Sequence, residues 1–317
     1  MTSGRERGTS AGIARFRCRV ALLSLIGACA FLCSPTVDAL EVNGASLGID
    51  LKESDFQNGS QPILAWIQRS AAIVSHYYGR FPVSHLQIHV RPAPGAGVKT
   101  GTTYGVHGGM IRVVVGREVT ADELLNDWVL VHEMTHLALP DVGSEHAWLS
   151  EGLATYIEGI ARAQAGNRAE EDVWAEQIRS MPKGLPQSGD VGLDHTHTWG
   201  RTYWGGALFC LMADIEIHRQ TQNKFGLQEA MRAVARASGG IGADWPIERV
   251  FKTGDSATGT HVLENLYAEW KDKPVTPDLP MLWRNLGIES DGVTVRVRDD
   301  APYARIRRAI MHLTPKA

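Results

Sequence analysis

The stretch His132-Glu133-Met134-Thr135-His136 decides how this chain is interpreted. Two histidines four residues apart lie on the same face of a helix, because one helical turn takes about 3.6 residues. Both imidazoles can therefore reach one metal ion, and Glu133 lies beside them, where it can hold a water molecule. The neighbouring residues on both sides are apolar, which favours a buried helix. The alternative is a helix with two core histidines, which would have to bury polar groups without partners.

A catalytic zinc site needs a third protein ligand and one open position. The segment Trp148-Leu149-Ser150-Glu151-Gly152 offers Glu151 near the start of the next predicted helix, and 14 residues lie between it and His136. Pro140-Asp141-Val142-Gly143 predicts a chain reversal between the two helices. An acidic residue at a helix start is also favoured by the helix dipole alone, so Glu151 has a purely structural explanation as well.

The two segments together resemble the gluzincin zinc metallopeptidases, in particular the peptidase MA-like proteins and glycyl aminopeptidase. A further stretch, Thr202-Tyr203-Trp204-Gly205-Gly206-Ala207-Leu208, is similar to the segment of that clan in which a tyrosine three residues before a glycine opens a helix and faces the zinc. The resemblance covers roughly residues 60–240.

This resemblance implies roles for five residues. His132, His136 and Glu151 would bind Zn²⁺, Glu133 would act as general base, and Tyr203 would donate to the oxyanion. The roles agree with the chemistry of zinc hydrolysis, in which the metal lowers the pKa of water and a carboxylate moves its proton. Without the resemblance, Tyr203 would be interpreted as an aromatic core residue.

Substrate recognition departs from the pattern of the clan. Its aminopeptidases carry an acidic residue in a Gly-rich edge strand that binds the free amine of the substrate, whereas Gly108-Gly109-Met110 and the two residues after it contain none. Aminopeptidase specificity is therefore not predicted. The backbone of Gly108, Gly109 and Met110 could still bind an extended peptide by strand addition. His195 and His197 precede Tyr203 and could line the cleft, although loop histidines are often merely exposed.

The pattern of the whole chain predicts an α+β fold, with a small N-terminal mixed sheet and a helix followed by a mainly helical, zincin-type subdomain. Residues 40–116 are expected to form the sheet subdomain on one side of the cleft, and residues 117–317 the helical one. A single helix is predicted from the capping-box sequence at Thr120 to just before Pro140. The other expected helices and strands are helices at 60–79, 147–165, 202–220, 226–237 and 302–312, and strands at 86–91, 110–115 and 293–297.

The N-terminus has the pattern of a secretory signal peptide. Arginines precede an apolar run at residues 20–33, and Val37-Asp38-Ala39 supplies small residues for cleavage after Ala39. We therefore expect residues 1–39 to be removed and the protein to be periplasmic or extracellular, without stable membrane insertion. A minor alternative is a lipoprotein anchored at Cys29. After cleavage at Ala39, Cys210 would be the single cysteine left, in a core position.

A net charge of −3 over 317 residues excludes a strongly basic surface, so nucleic acid is not an expected partner. The sequence thus predicts an exported zinc metallopeptidase that acts on a peptide or protein. Two alternatives stay open: a non-catalytic, zinc-stabilised protein that binds peptides, and a zinc hydrolase with a non-peptide substrate.

Overall fold

The computed structural model describes residues 37–311, and the signal-peptide prediction therefore lies almost entirely outside the described residues. A five-stranded sheet occupies the first part of the described chain. Its strands are β1 (Val37–Val42), β2 (Ala45–Asp50), β3 (His85–Ala93), β4 (Val98–Tyr104) and β5 (Met110–Gly116). They lie in the order β1-β2-β3-β5-β4. The central pairs β2/β3 and β3/β5 are parallel and the outer pairs are antiparallel, so β1 and β4 form the two edges.

The first helix, α1 (Gln61–Tyr78), fills the connection between β2 and β3. Pro62 in its first turn has a φ suited to helix initiation. Gly79 ends the helix in the left-handed region at φ 77°, which a glycine adopts without strain. Helix α1 packs against the helices that carry the candidate site, and Trp66 is one of its buried side chains.

Ten further helices follow the sheet in the described part of the chain. They are α2 (Ala121–Asn126), α3 (Val129–His136), α4 (Ala147–Gln164), α5 (Glu170–Ser180), α6 (Gly206–Gln220), α7 (Leu227–Ser238), α8 (Ile247–Thr258), α9 (Val262–Trp270), α10 (Leu279–Leu286) and α11 (Ala304–Met311). A small hairpin of β6 (Ile288–Ser290) and β7 (Val295–Val297) lies before α11. Among residues 37–311, no helix has the length and apolar character that a bilayer span requires. The predicted α+β class is confirmed.

The predicted single helix from Thr120 to Pro140 is wrong, because two helices occupy this stretch. The capping box at Thr120 is present and starts α2, but the chain leaves the helical conformation at Asp127, where ψ is 140°. The Asp127 carboxylate then accepts a hydrogen bond from the Val129 backbone N–H at 3.0 Å and so starts α3. An aspartate competes with the helix for backbone donors in this way, and here it interrupts the apolar pattern.

Residues 37–311 belong to one compact unit, and the division into subdomains at residue 116 stays a prediction. Strands β1, β2 and β4 and helix α5 were not predicted from the sequence. Strand β4 has the sequence Val98-Lys99-Thr100-Gly101-Thr102-Thr103-Tyr104, whose threonines and glycine resemble a polar loop. Cys210 is buried in α6, as expected, and burial raises the pKa of its thiol.

Candidate metal centre

Helices α3 and α4 bring three metal-binding side chains together. His132 and His136 leave the same face of α3, and Glu151 lies opposite them in the second turn of α4. The Glu151 Oε2 atom is 3.3 Å from His132 Nε2 and 3.6 Å from His136 Nε2. The donor atoms of all three residues lie within 4.8 Å of one another.

These distances fit a tetrahedral metal ion. Zinc binds nitrogen and oxygen at about 2.0–2.1 Å, so two donors of a regular tetrahedron lie about 3.3–3.4 Å apart. The His132–Glu151 and His136–Glu151 distances are close to this value. Two imidazoles and one carboxylate also form a donor set that zinc prefers in catalytic sites. The residues present therefore fit a Zn²⁺ ion bound by His132, His136 and Glu151, with one position left for another ligand.

The pKa values of His136 and Glu151 suit metal binding. Burial lowers the pKa of His136 to about 4, so this imidazole is neutral at physiological pH. Burial alone raises the pKa of Glu151, but its hydrogen bond with His132 and its electrostatic interactions with the two histidines outweigh burial and lower the pKa overall. A neutral imidazole and an ionised carboxylate are the forms that bind metals.

A further hydrogen bond orients one histidine. The Nδ1 atom of His136 lies 2.9 Å from Ser150 Oγ, and Ser150 precedes Glu151 on α4. Because Nδ1 is engaged, Nε2 is the atom that faces the other two donors. Partners of this kind fix the orientation of metal-binding imidazoles. Ser150 was not predicted to have a role from the sequence.

Glu133 lies beside the three donors and contacts the edge strand β4. Its Oε2 atom accepts a hydrogen bond from the Thr103 hydroxyl at 2.7 Å. At Gly101 a side-chain carbon would lie 2.5–2.9 Å from the Glu133 side chain, so only glycine leaves room for the carboxylate there. Burial raises the pKa of Glu133, while the Thr103 hydrogen bond opposes the increase. Sequence reasoning missed Gly101 and Thr103 because β4 lacks the alternating apolar pattern of a strand.

Tyr203 reaches the same site from a wide helical turn that precedes α6. Residues Arg201–Gly205 form this π-helical turn, a feature that often marks functional sites. The Tyr203 ring lies parallel to the His132 ring, with 6.4 Å between the centroids. Burial and the nearby Glu151 carboxylate raise the pKa of the phenol to about 12, so it stays protonated.

A close contact between two helices accounts for the position of this turn. At Gly152 on α4, a side-chain carbon would collide with the backbone of Gly206 on α6. The two helices therefore approach as closely as backbone atoms allow, directly after Glu151 and directly after the turn that carries Tyr203. The buried Arg201 side chain fixes the start of the turn through an ion pair of 2.7 Å with Asp190 and a hydrogen bond to the Gly184 carbonyl.

The expectation that Met110 receives an extended peptide needs correction. Met110 pairs with Gln87 of β3 and with Tyr104 of β4, so its backbone lies inside the sheet. The Gly109 carbonyl already accepts a hydrogen bond from the Gln87 N–H, and Gly108 lies in the loop before it. The free edge beside Glu133 belongs to β4.

His195 and His197 are exposed. Neither histidine contacts His132, His136 or Glu151 in the part of the chain that the structure describes. His195 Nε2 lies 2.9 Å from Asp272 Oδ1, on a surface where both side chains are more than half exposed. The predicted site is thus brought together at His132, Glu133, His136, Glu151 and Tyr203, and these two histidines are not part of it.

No protein-family model matches this sequence, and no curated protein matches it. Among solved structures, the chain is similar to an aminopeptidase N family protein from Idiomarina loihiensis, with 14% identity, a TM-score of 0.58, and coverage of 84% of this chain and 53% of that chain. An M1 zinc metallopeptidase from Deinococcus radiodurans has 14% identity, a TM-score of 0.49, and coverage of 76% and 51%. The chain spans about half the length of these structures. The resemblance to gluzincin-type zinc metallopeptidases is confirmed at the level of the fold.

Proposed function

We propose that this chain is a zinc metallopeptidase that hydrolyses peptide bonds with Glu133 as general base. The observation that carries the proposal is the convergence of His132, His136 and Glu151 at tetrahedral distances, with the Glu133 carboxylate beside them. The fold shared with an aminopeptidase N family protein supports the same function.

Bound zinc would supply a Lewis acid that polarises the scissile carbonyl and lowers the pKa of water. Glu133 takes a proton from the attacking water and later delivers it to the leaving amine. Its burial suits both steps, because a raised pKa brings the carboxylate closer to the pH at which it must accept and release a proton. The Thr103 hydroxyl holds the carboxylate while it does so.

Tyr203 is the second residue proposed to take part in the reaction, as a hydrogen-bond donor. Its phenol is protonated at neutral pH and lies near both Glu151 and the face of His132. A hydroxyl at this position can donate a hydrogen bond to the oxygen on which negative charge develops during attack. The donor is already oriented before the reaction, since the π-helical turn and the Gly152–Gly206 contact fix its backbone.

The substrate is proposed to be a peptide or an unfolded segment of a protein. Among the described residues, edge strand β4 pairs with β5 alone, so its other side is open to backbone pairing, and the strand lies directly beside Glu133. An extended peptide paired there would bring its carbonyl groups past the metal centre. Residues Val98–Tyr104 include no Asp or Glu, so this edge offers no carboxylate for a free amino terminus.

A peptide library tests this function. The zinc-loaded protein is incubated with peptides that have free or blocked termini, and the cleavage positions are mapped by mass spectrometry. We expect cleavage by the native chain and none by Glu133→Gln. Zinc and peptide binding without cleavage would instead favour the non-catalytic binding protein, and activity on esters or amides alone would favour a non-peptide substrate.

Export of the protein is a separate proposal, which rests on the N-terminal pattern of arginines, an apolar run and Val37-Asp38-Ala39. Periplasmic or extracellular peptidases meet peptides outside the cytoplasm, which is compatible with the peptide substrate proposed above. Cell fractionation followed by N-terminal sequencing tests it.

A further inference from the structure

Two exposed tryptophans lie close to the candidate metal centre. Trp128 is 52% exposed and Trp199 is 60% exposed, whereas the other tryptophans of the described chain are at most 8% exposed. Tryptophan is enriched among the residues that contribute most to binding at protein surfaces, so two exposed indoles beside one candidate site point to a contact with the substrate.

Ring contacts connect both tryptophans to the site. The Trp128 ring packs edge-on against His132, with 5.5 Å between the centroids. Trp199 stacks on Tyr203 at 5.8 Å, and Tyr203 stacks on His132 at 6.4 Å. Laid end to end, these three centroid distances correspond to at most about five residues of an extended peptide, at roughly 3.3 Å per residue.

The backbone around each tryptophan explains why it faces the site. Each one lies four residues, or about one helical turn, before a site residue: Trp128 before His132 and Trp199 before Tyr203. The break at Asp127 separates α2 from α3 and leaves Trp128 at the exposed start of α3. Trp199 is held in place as well, since the Lys183 ammonium lies 5.9 Å from the centre of its ring.

We infer that Trp128 and Trp199 select peptide substrates with a large aromatic or aliphatic side chain on each side of the scissile bond. This inference rests on the proposed function and adds a substrate class to it. A peptide that pairs with β4 beside Glu133 would place one flanking side chain on each indole. The Lys183 ammonium next to Trp199 disfavours a cationic side chain at that position, because like charges repel.

Peptide binding to a variant that cannot cleave tests the inference. The zinc-loaded chain with Glu133→Gln is titrated by calorimetry with two blocked hexapeptides, Gly-Ala-Phe-Phe-Ala-Gly and Gly-Ala-Ala-Ala-Ala-Gly. We expect the Phe peptide to bind at least tenfold more tightly. Adding Trp199→Ala should weaken binding of the Phe peptide about tenfold, as expected for a lost aromatic contact, with little change for the Ala peptide.

Matched variants separate recognition from folding. Trp128→Ala could disturb His132, so Trp128→Phe is measured beside it, with zinc content determined for both. Val293→Ala, at a residue that is 89% exposed on the β6–β7 hairpin, is the control and should change neither affinity. Equal affinity for the two peptides, or unchanged binding of the Phe peptide in Trp199→Ala, would overturn the inference.

Cleavage by the native chain distinguishes this inference from the proposed function. If the native chain cleaves both peptides equally and the tryptophan variants behave normally, the peptidase function stands and the selectivity fails. If it cleaves neither peptide, with free or blocked termini, while binding still depends on Trp199, the peptidase function fails and the recognition of apolar side chains stands.

Discussion

The hydroxyl of Thr103 lies 2.7 Å from Glu133 Oε2 and 2.9 Å from the Glu133 carbonyl oxygen. One side chain of edge strand β4 therefore contacts both the backbone and the carboxylate of the residue between the two site histidines. This contact joins the sheet to α3 at the Glu133 carboxylate, so that the strand proposed to bind the peptide also fixes the proposed base.

Replacing Thr103 by Val removes this hydroxyl while it keeps the shape of the side chain. We expect kcat to fall roughly tenfold or more, because a hydrogen bond to a charged group contributes about 1.5–3 kcal/mol. Thr103→Ser should keep most of the activity, since its hydroxyl can donate in the same way. Steady-state kinetics and zinc content check this, and a normal kcat for Thr103→Val would show that the contact is not needed.

Replacing Tyr203 by Phe keeps the ring that stacks on His132 and removes the hydroxyl. If this hydroxyl donates to the oxyanion, kcat should fall on the order of a hundredfold to a thousandfold, with KM and zinc content nearly unchanged. A core tyrosine would behave differently: the melting temperature would fall and kcat would not change. Measuring kcat, KM and melting temperature for this variant separates the two roles.

The raised pKa of Asp127 predicts a specific pH dependence of the free energy of unfolding. Burial raises its pKa from 3.8 to about 6, so between these values the folded protein holds more protons than the unfolded chain. The contribution of Asp127 to the free energy of unfolding therefore decreases as pH rises from about 4 to 6, by at most about 3 kcal/mol.

The variant Asp127→Asn isolates this contribution. Its amide oxygen can still accept the hydrogen bond from the Val129 N–H, but it does not ionise. We expect the variant to gain stability relative to the native chain as pH rises from 4 to 7, as measured by denaturant unfolding. If the free energies of unfolding of the native chain and the variant change in parallel with pH over this range, the Asp127 carboxyl has an ordinary pKa.

Processing after Ala39 would affect the first strand. β1 begins at Val37 and pairs with β2 along its whole length, so this cleavage would leave the pairs from Leu40↔Leu47 to Val42↔Ala45. We expect N-terminal sequencing of the exported protein to begin at Leu40. A lipid on Cys29, or a first residue before Val37 that preserves the strand, would contradict this processing site.

Local spacing made part of the site predictable. The four-residue separation of His132 and His136 follows directly from the helical repeat, and an acidic residue near the start of the next helix is a natural third ligand. The position of Glu133 between the two histidines indicated its role beside the metal, whereas the role of Tyr203 came from the resemblance to a family. In each case the decisive signal lies within a few consecutive residues of the sequence.

Contacts between distant segments were not predictable in this way. Thr103 meets Glu133 because β4 lies at the sheet edge, and nothing in a strand of threonines and lysine indicates that position. The break at Asp127 was missed because the apolar period continues across it, while one carboxylate that binds a backbone N–H ends the helix. The exposure of Trp128 and Trp199 likewise depends on tertiary packing.

The metal content of the purified protein tests the central claim most directly. After dialysis against zinc and removal of the excess, elemental analysis should find about one zinc per native chain, as in other three-ligand catalytic sites. Glu133→Gln should keep the zinc and lose peptide cleavage, whereas the double variant His132→Ala/His136→Ala should lose the zinc. Zinc retained in the double variant would contradict the site, and cleavage retained in Glu133→Gln would contradict the mechanism.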